Sequence, residues 1–289
     1  MKRIILFRFH DHFDICENRL YLLKKLNPEI QIFGMYGGEP DKADEAESKL
    51  NKLDGIYYIK NKGKRWKWAN GDLAMRQWYI DIGRKIPFDI LHLIEWDLLL
   101  LSPIDKIYQK IPANGVGLTR LRPVDDYLFK LLEIKGDELK YIQKIYSYIQ
   151  NPAPKEKISI DEIRRSGFFD QTTNEFFELL LYVKDKFNYA NQYYSCIFPG
   201  SAFCRKFLER YSQTEIPELA IDEVRVSIFS KIFGIDMYDN GFFNQGIDRR
   251  EHIFFNVTKV EILKEIIQFE LNKSNGRRVF HPYYGIFNI

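Results

Sequence analysis

Two carboxylates stand near the end of a long apolar run in the sequence, FDILHLIEWDLLLL at residues 88–101. The run has the length and composition of a buried strand, and Glu95 and Asp97 interrupt it on either side of Trp96. Charged groups are costly to bury unless they are paired, hydrogen-bonded or bound to a metal. Because side chains two residues apart on a strand lie on the same face, both carboxylates can point in one direction. They are therefore either ligands of a hard cation such as Mg²⁺ or Mn²⁺, which binds carboxylates together with substrate phosphates, or the acids of a strand-end turn that face water, Lys or Arg.

The elements that must position these carboxylates alternate between strand and helix along the first hundred residues. Strands are predicted at RIILFRF, IQIFGMY, GIYYIK and the apolar run. Helices are predicted between them at DICENRLYLLKKLNPEI, DKADEAESKLNKLDG and NGDLAMRQWYIDIGRKI, and a basic aromatic loop, NKGKRWKW, precedes the last of these. The spacing of the apolar residues supports each assignment. The alternation predicts an α/β fold with a mainly parallel central sheet and helices on both faces.

Three segments are predicted to meet at one edge of this sheet. Ligands of open parallel sheets bind beyond the carboxyl ends of the strands. Arg8–Asp14, Gly37–Gly38 and Glu95–Asp97 all fall at such ends. We therefore expect a ligand site at that edge, built from parts of the chain that are far apart in sequence.

The remainder of the chain is predicted to complete one domain around an insertion. Residues 122–193 are rich in Lys, Tyr and Phe, are mostly helical in pattern and carry no evident motif, so they are predicted to form a helical insertion or lid. Strand and helix patterns return from residue 194, in YYSCIFPGSAF and IDEVRVSIFSKIFGI. We therefore predict a single domain over residues 1–289, with residues 1–121 and 194–289 as its two halves.

The composition indicates a globular protein and argues against several classes. Of the 289 residues, 45% are hydrophobic, which is enough for a sizeable core. Lys and Arg number 43 against 40 Asp and Glu, and the resulting formal charge of +3 is too small to indicate nucleic-acid binding. Three widely spaced cysteines form no CxxC pair and favour a reduced, cytoplasmic protein. The apolar stretch Ile4–Phe7 is too short for a signal peptide or a membrane span, which leaves peripheral membrane contact open.

Four segments, in chain order, resemble motifs of the GT-A glycosyltransferases. LIEWDLLLLSPIDKIY resembles the segment in which a strand delivers an acidic D-x-D-type motif to the sugar nucleotide. FPGSAF, around Gly200, resembles the glycine-containing loop under the donor sugar and the acceptor. IDEV, with Asp222 and Glu223, resembles the acidic motif that supplies the catalytic base in inverting members. VFHP, with His281, resembles the C-terminal histidine that completes the metal site in many members.

The resemblance implies a GT-A fold and a metal-dependent glycosyltransferase. Such an enzyme would move a sugar from a nucleotide-diphosphate sugar to an acceptor hydroxyl, here with inversion, in glycan or cell-surface polysaccharide synthesis. The acceptor would be a carbohydrate or a lipid-linked glycan. Asp97, Glu95 and His281 would hold Mn²⁺ or Mg²⁺, although Glu95 replaces the usual first aspartate and can contact the ribose instead. Asp222 or Glu223 would take the proton from the acceptor hydroxyl.

The same resemblance places the nucleotide sugar in the first half of the chain, residues 1–121, and the acceptor and catalytic residues in 194–289. Arginine suits phosphate, and aspartate suits a base or a ribose hydroxyl. The predicted nucleotide-sugar-binding residues are Arg8, Asp72, Arg76, Glu95, Trp96 and Gly200.

Several of these residues have a purely structural alternative. Asp72 can pair with Arg76, four residues later on the same helix. Asp222 stands where an acid commonly caps a helix. Gly200 follows a proline in what can be a simple turn, and His281 can be a packed surface histidine.

Two other functions stay open. FRFHDHFD places His10 and His12 at the end of the first strand, as in metal-dependent hydrolases on β/α barrels. Such a site needs further histidines at later strand ends, and the remaining ones are His92, His252 and His281. The third possibility is a non-catalytic sugar-nucleotide-binding protein that keeps the fold and the acids without turnover.

Overall fold

Strands and helices alternate through the first hundred residues, as the sequence pattern predicts. The computed structural model describes residues 1–124, 137–151, 158–167, 170–243, 254–255 and 262–289. The first elements of this part are β1 (Arg3–Phe9), α1 (Phe13–Leu26), β2 (Gln31–Tyr36), α2 (Ala43–Lys49), β3 (Ile56–Tyr58), α3 (Lys64–Ala69), α4 (Gly71–Asp81) and β4 (Ile90–Glu95). The prediction of a loop over NKGKRWKW is wrong in its second half, because helix α3 begins at Lys64.

The second part of the chain adds the other strands of the sheet and the remaining helices. These elements are β5 (Leu99–Leu100), α5 (Ile104–Ile107), β6 (Val116–Pro123), α6 (Asp137–Gln150), α7 (Ile160–Arg165), α8 (Gln171–Phe187), β7 (Tyr194–Cys204), α9 (Arg205–Gln213), α10 (Asp222–Ile232), β8 (Met237–Asp239), α11 (Lys264–Leu271) and β9 (Val279–Phe280). Within the described ranges, no helix combines the length and apolarity needed to span a bilayer.

The central sheet is mainly parallel, which confirms the predicted α/β fold. Its strand order is β3-β2-β1-β4-β7-β6-β8. β1 pairs in parallel with β2 and β4, β2 with β3, and β6 with β8, whereas β7 runs antiparallel to β4 and β6. The carboxyl ends of β1, β2, β3 and β4 therefore lie along one edge of the sheet.

Both faces of the sheet are buried, which explains the continuous apolar run Ile4–Phe7 in its first strand. Ile4 and Leu6 of β1 join one core cluster with side chains of α4, α9 and α10, and Ile5 and Phe7 join another with side chains of α1 and α2. Strands that are covered on both faces have continuous hydrophobic runs rather than alternation. The sequence RIILFRF follows this rule.

A two-stranded sheet brings the C-terminal segment beside the turn after β4. β5 and β9 pair antiparallel, with Leu99 opposite Phe280. The backbone N–H of Tyr283 donates to the carbonyl of Asp97 over 2.9 Å. Asn18 on α1 holds the same segment further along, since its amide donates to the carbonyl of Phe287 over 2.9 Å and accepts from the Phe287 N–H over 3.0 Å.

The described part of the predicted insertion is helical. After β6 ends at Pro123, it contains α6, α7 and α8. Helix α8 packs on α10, with the rings of Phe187 and Phe229 5.7 Å apart. The rest of the insertion, residues 125–136, 152–157 and 168–169, lies outside the described residues. Its role as a lid stays a prediction.

Candidate active site

A cleft opens at the carboxyl ends of β1 and β4, between α3, the first turn of α10 and the C-terminal segment. Its volume is about 270 Å³. The residues that line it are Arg8, Trp68, Ala69, Glu95, Asp97, Phe198, Pro199, Ile221, Asp222, Glu223, His281, Pro282 and Tyr284. Six residues singled out from the sequence are among them, and they come from four distant segments of the chain.

Arg8 and Glu95 form an ion pair in this cleft. They lie opposite each other on the paired strands β1 and β4, and Arg8 Nη1 is 2.8 Å from Glu95 Oε1. The Nη2 of Arg8 donates to the carbonyls of Lys67 and Trp68 at the end of α3. Of the two explanations for the acids in the apolar run, pairing with a basic residue therefore applies to Glu95, because its carboxylate pairs with Arg8.

Asp97 and His281 form a second pair, and they have the chemistry of a metal site. Asp97 Oδ1 is 3.6 Å from His281 Nε2, and this buried oxygen has no hydrogen-bond partner among the residues that the structure describes. Burial raises the pKa of Asp97, Glu95 raises it further, and His281 opposes the change. A buried carboxylate oxygen without a donor, next to an imidazole, fits a divalent cation whose other ligands come from water or phosphate. The described residues contain no group of three or more His, Cys, Asp or Glu side chains placed to hold a metal.

Asp222 and Glu223 begin α10 at the inner wall of the cleft. The carboxylate of Asp222 accepts two backbone hydrogen bonds, from Glu223 N over 2.9 Å and from Gly71 N over 3.0 Å. Burial raises the pKa of Asp222 well above its usual range, and the Asp72 carboxylate adds to this. The helix cap itself is Ile221, so Asp222 lies inside the first turn rather than at the predicted cap position.

Glu223 has the protonation behaviour of a general base near neutral pH. Burial raises its pKa to about 7, and Glu95 contributes to the rise, while a backbone hydrogen bond from Phe198 and the charges of Arg122 and Arg120 oppose it. A base works best when its pKa is close to the working pH. The chemistry of proton removal from a hydroxyl is therefore present at the start of α10.

Gly200 lies behind the wall of the cleft, whereas Trp96 lines a small neighbouring cavity together with Arg8 and Glu95. Gly200 has a φ of 75°, and a Cβ there would lie 2.8 Å from Phe242. Its neighbours in β7, Phe198 and Pro199, line the cleft, but Gly200 does not. Trp96 is 8% exposed and stacks on His12 with 4.7 Å between ring centroids.

Asp72 and Arg76 do not line the cleft. Asp72 is fully buried and forms an ion pair with Arg225 over 2.6 Å. Arg76 donates to the backbone carbonyls of Tyr211, Ser212 and Thr214 at the end of α9. The alternative in which these two residues pair with each other is wrong, since each has other partners. The structure does not bring either residue to the predicted nucleotide contact.

A second, larger pocket lies beyond the ends of β1, β2 and β3 and was not assigned from the sequence. Its volume is about 700 Å³. Five lysines line it: Lys42, Lys60, Lys62, Lys64 and Lys67. The sequence signals for this lysine pocket were Gly37-Gly38 and the basic stretch NKGKRWKW, which both contribute to it.

The lysine pocket and the cleft form one groove. A small cavity of about 90 Å³ lies between them. It shares Lys64 and Lys67 with the lysine pocket and Arg8 and Glu95 with the cleft. A ligand longer than a single sugar can therefore occupy both ends of the groove.

Among the described residues, no third metal-ligating side chain lies beside the histidine pair proposed for a hydrolase. His10 and His12 both contact Trp96, at 5.5 Å and 4.7 Å between ring centroids. His92 is buried inside β4 and bonds to Arg3 Nη1 over 2.9 Å. His252 lies outside the described residues. A third histidine beside His10 and His12 is thus absent from the described part of the chain.

Comparison with known proteins finds similarity to solved structures only. No family model matches the chain, and no curated protein matches it. The mannosyltransferase PcManGT from Pyrobaculum calidifontis, in complex with GDP-Man and Mn²⁺, is 13% identical with a TM-score of 0.40, and the match covers 82% of this chain and 54% of that one. The galactosyltransferase LgtC, in complex with donor and acceptor sugar analogues, is 12% identical with a TM-score of 0.39, covering 83% and 74%.

An enzyme with a different name is also similar. The 4-diphosphocytidyl-2C-methyl-D-erythritol synthase from Anaerococcus prevotii is 11% identical with a TM-score of 0.35, and the match covers 82% of this chain and 86% of that one. The solved structures to which this chain is similar thus include glycosyltransferases, the class that the sequence resembles. At these TM-scores the similarity carries no argument about activity, which has to rest on the groove itself.

Proposed function

We propose that this chain is a glycosyltransferase that moves a sugar from a nucleotide-diphosphate sugar to an acceptor hydroxyl with the help of Mn²⁺ or Mg²⁺. One observation carries the proposal: the acids Asp97, Asp222 and Glu223 and the histidine His281, taken from separate segments, line one cleft with Arg8. That cleft continues into a pocket with five lysines. A groove with a basic end and an acidic end suits an anionic nucleotide joined to a neutral sugar.

The donor nucleotide is assigned to the lysine pocket. The ammonium groups of Lys60 and Lys64 supply positive charge there, and Gly38 lets the backbone of the strand end approach closely, since a Cβ at this glycine would lie 2.1 Å from the His10 carbonyl. The diphosphate then extends along the small cavity toward Arg8. A phosphate bound by Arg8 there would lie beside Glu95, the ion-pair partner of this arginine.

Asp97 and His281 are assigned as the metal-binding pair. Their donor atoms are close together and the Asp97 oxygen is without a hydrogen bond. When bound there, a divalent cation neutralises charge on a diphosphate leaving group. Glu95 is assigned to Arg8 and through it to the orientation of the phosphate, rather than to the metal.

Glu223 is assigned as the base, in preference to Asp222. Both carboxylate oxygens of Asp222 are occupied by backbone N–H groups, which leaves it the task of fixing the helix start. Glu223 has a pKa of about 7 and faces the cleft. It takes the proton of the acceptor hydroxyl as that oxygen attacks the anomeric carbon, and a single displacement of this kind inverts the configuration. The acceptor is assigned as a carbohydrate or lipid-linked glycan, reached in the cytoplasm.

Thermal shift with nucleotides is the test of this proposal. UDP, GDP, CDP, ADP and their sugar conjugates are compared with and without Mn²⁺, because a ligand that binds only the folded state raises the melting temperature. We expect one nucleotide to give a Mn²⁺-dependent rise that is lost in Asp97→Ala. Asp14→Ala, which removes an exposed carboxylate on α1 that does not line the groove, is the control and should keep the rise.

The other functions give different results in the same experiment. A rise with zinc alone and none with any nucleotide would support the hydrolase that uses His10 and His12. A nucleotide-dependent rise without release of nucleoside diphosphate from any sugar conjugate would support a non-catalytic binding protein. Either result would contradict the transferase.

A further inference from the structure

A buried ion pair stands directly behind the catalytic cleft. Arg225 on α10 and Asp72 on α4 both have fully buried side chains. Arg225 Nη2 is 2.6 Å from Asp72 Oδ1, and Nε is 2.9 Å from Oδ2. The hydroxyl of Tyr211 donates to the same Oδ2 over 2.5 Å. Both oxygens of the Asp72 carboxylate therefore accept hydrogen bonds from side chains inside the protein.

The remaining donors of Arg225 reach two separate segments of the chain. Nη1 donates to the carbonyls of Leu219 and Ala220 over 2.9 and 2.7 Å. Nη2 also donates to the carbonyl of Ala69 over 3.1 Å and to Asn70 Oδ1 over 2.8 Å. One guanidinium thus joins the end of α3, the start of α4 and the loop that leads into α10.

The loop held by Arg225 has a strained backbone. Ala220 has a φ of 59°, in the left-handed region that side chains other than glycine avoid. Strain of this kind persists only where surrounding contacts impose it, and it clusters at functional sites. Here the strained residue lies two positions before Asp222 and three before Glu223, and its carbonyl accepts from Arg225.

The same two segments touch a second time at the cleft itself. The N–H of Gly71 donates to Asp222 Oδ2 over 3.0 Å. A Cβ at Gly71 would lie 2.6 Å from Arg8 Nη1, 2.8 Å from Phe198 and 2.9 Å from Asp222 Oδ2. The start of α4 therefore packs against the phosphate-facing arginine and against the catalytic helix with no room for a side chain.

A buried ion pair is weak evidence for stability, because its desolvation cost offsets most of the attraction. Arg225 also does not line the cleft, so it cannot touch a substrate. What the pair does accomplish is geometric: it fixes α4 relative to α10 and imposes the backbone of Leu219 and Ala220. Both effects act on the first turn of α10, which carries Asp222 and Glu223 into the cleft.

We propose that Arg225 and Asp72 form a positioning pair that holds the first turn of α10 against the start of α4, so that Glu223 faces the acceptor beside Arg8. This inference rests on the proposed function in that it names Glu223 as the base. The pair acts through that residue and is not itself catalytic. Arg8 separately donates to carbonyls at the end of α3. We therefore expect α3, which lines the lysine pocket, to keep its position when Arg225 is changed.

The test compares Arg225→Lys and Asp72→Asn with a matched pair elsewhere. Glu178 is buried and accepts two hydrogen bonds from the exposed guanidinium of Arg164, between α7 and α8, so Glu178→Gln is the control for loss of a buried carboxylate from an ion pair that does not border the cleft. Amide hydrogen exchange and the release of nucleoside diphosphate from the donor sugar are measured below the melting temperature of each variant. Exchange needs no substrate, so it reports on positioning whether or not the chain is a transferase.

We expect the N–H groups of Gly71 and Glu223, which both donate to Asp222, to exchange at least tenfold faster in Arg225→Lys and Asp72→Asn, while β1 amides stay protected. Turnover at saturating donor should fall at least tenfold, with donor affinity changed less than threefold. Glu178→Gln should lower the melting temperature and change neither readout. If Arg225→Lys fails to fold, Asp72→Asn, which keeps the size of the side chain and removes its charge from the pair, should by itself give this exchange and turnover pattern.

Two results would overturn the positioning pair. One is unchanged exchange at Gly71 and Glu223 in the folded variants. The other is a loss of turnover that only matches the fraction of unfolded protein. If the wild-type chain neither binds nor cleaves any nucleotide sugar while the exchange results are as expected, the proposed function fails and the positioning of α10 by Arg225 stands.

Discussion

At the scale of single residues, Glu223 and Asp222 are neighbours with different hydrogen-bond partners. The carboxylate of Asp222 is occupied by two backbone N–H groups. Glu223 lines the cleft, and burial raises its pKa to about 7. The two adjacent acids thus differ in their backbone contacts, because Asp222 accepts N–H groups at both oxygens, whereas Glu223 has one backbone hydrogen bond, from Phe198.

Glu223→Gln should abolish turnover without weakening donor binding. Removal of a general base lowers rates by about 10²- to 10⁴-fold, and the glutamine keeps the size of the side chain. In the wild type, turnover should rise as pH increases through about 7, because the base must be deprotonated to act and its pKa is raised to that value. Rates of nucleoside diphosphate release between pH 5 and 9 check this. A variant that keeps its rate, with loss in Asp222→Asn instead, would move the base to Asp222.

Position 200 requires a glycine because of its backbone conformation and because Phe242 lies where a Cβ would be. Gly200→Ala should destabilise the fold by about 2 kcal/mol or more, since a φ of 75° disfavours any Cβ and this one would lie 2.8 Å from the Phe242 ring. Gly234→Ala is the matched control, because Gly234 has a φ of 63° with open space around it and should cost about 1 kcal/mol. Urea unfolding of both variants measures the difference. Equal losses would show that the Phe242 contact is unimportant.

At the scale of elements, the outcome for α4 differs most from its sequence prediction. Asp72 and Arg76 have the right types and spacing for a nucleotide site, but helix α4 directs both of them into protein contacts. Arg76 ties α4 to the end of α9, where three carbonyls need donors. The helix thus supports the cleft from behind.

Arg76→Ala should lower stability and leave nucleotide binding unchanged. The substitution removes the donors to the carbonyls of Tyr211, Ser212 and Thr214, and the expected loss is about 1–3 kcal/mol. Thermal shift gives both quantities, from the melting temperature alone and from its rise with the nucleotide and Mn²⁺. Loss of the nucleotide-dependent rise in a folded Arg76→Ala protein would restore the sequence prediction that Arg76 binds the nucleotide.

At the scale of the whole molecule, the cleft is completed by a segment from the far end of the chain. His281 and Tyr284 reach the cleft because β9 pairs with β5 and because α1 binds the residues that follow. Arg19 donates to the carbonyl of Tyr283 over 2.7 Å, and Asn18 exchanges two hydrogen bonds with Phe287. The first helix therefore sets the position of His281, which belongs to the proposed metal site.

Asn18→Ala should weaken the metal-dependent part of nucleotide binding. It leaves the backbone groups of Phe287 without partners, at a cost of about 1–3 kcal/mol, and loosens the segment that carries His281. Titration of Mn²⁺ in the presence of the bound nucleotide should show weaker apparent affinity. Lys25→Ala, which removes an exposed bond to the carbonyl of Ile289 and a cation–π contact with Tyr21, is the control and should behave as the wild type. Unchanged Mn²⁺ affinity in Asn18→Ala would remove His281 from the metal site.

The sequence by itself determined the type of fold and the segments that form the site. Strand and helix periodicity are local properties, and the carboxyl ends of parallel strands share one edge, so Arg8 and Glu95–Asp97 had to lie together. The sequence also indicated Asp222, Glu223 and His281, through short motifs that a resemblance could recognise. These residues all line the cleft.

Only the tertiary structure decided which partner each charged group has. Glu95 pairs with Arg8 while the oxygen of Asp97 stays open, and Asp72 pairs with Arg225, 153 residues away in the chain. The lysine pocket and helix α3 were also identified only from the tertiary structure. The physical reason is that a charge interacts with what is close in space, at distances of a few ångströms. Local pattern does not contain those distances, whereas the packing of α3, α4, α10 and the C-terminal segment around one sheet edge creates them.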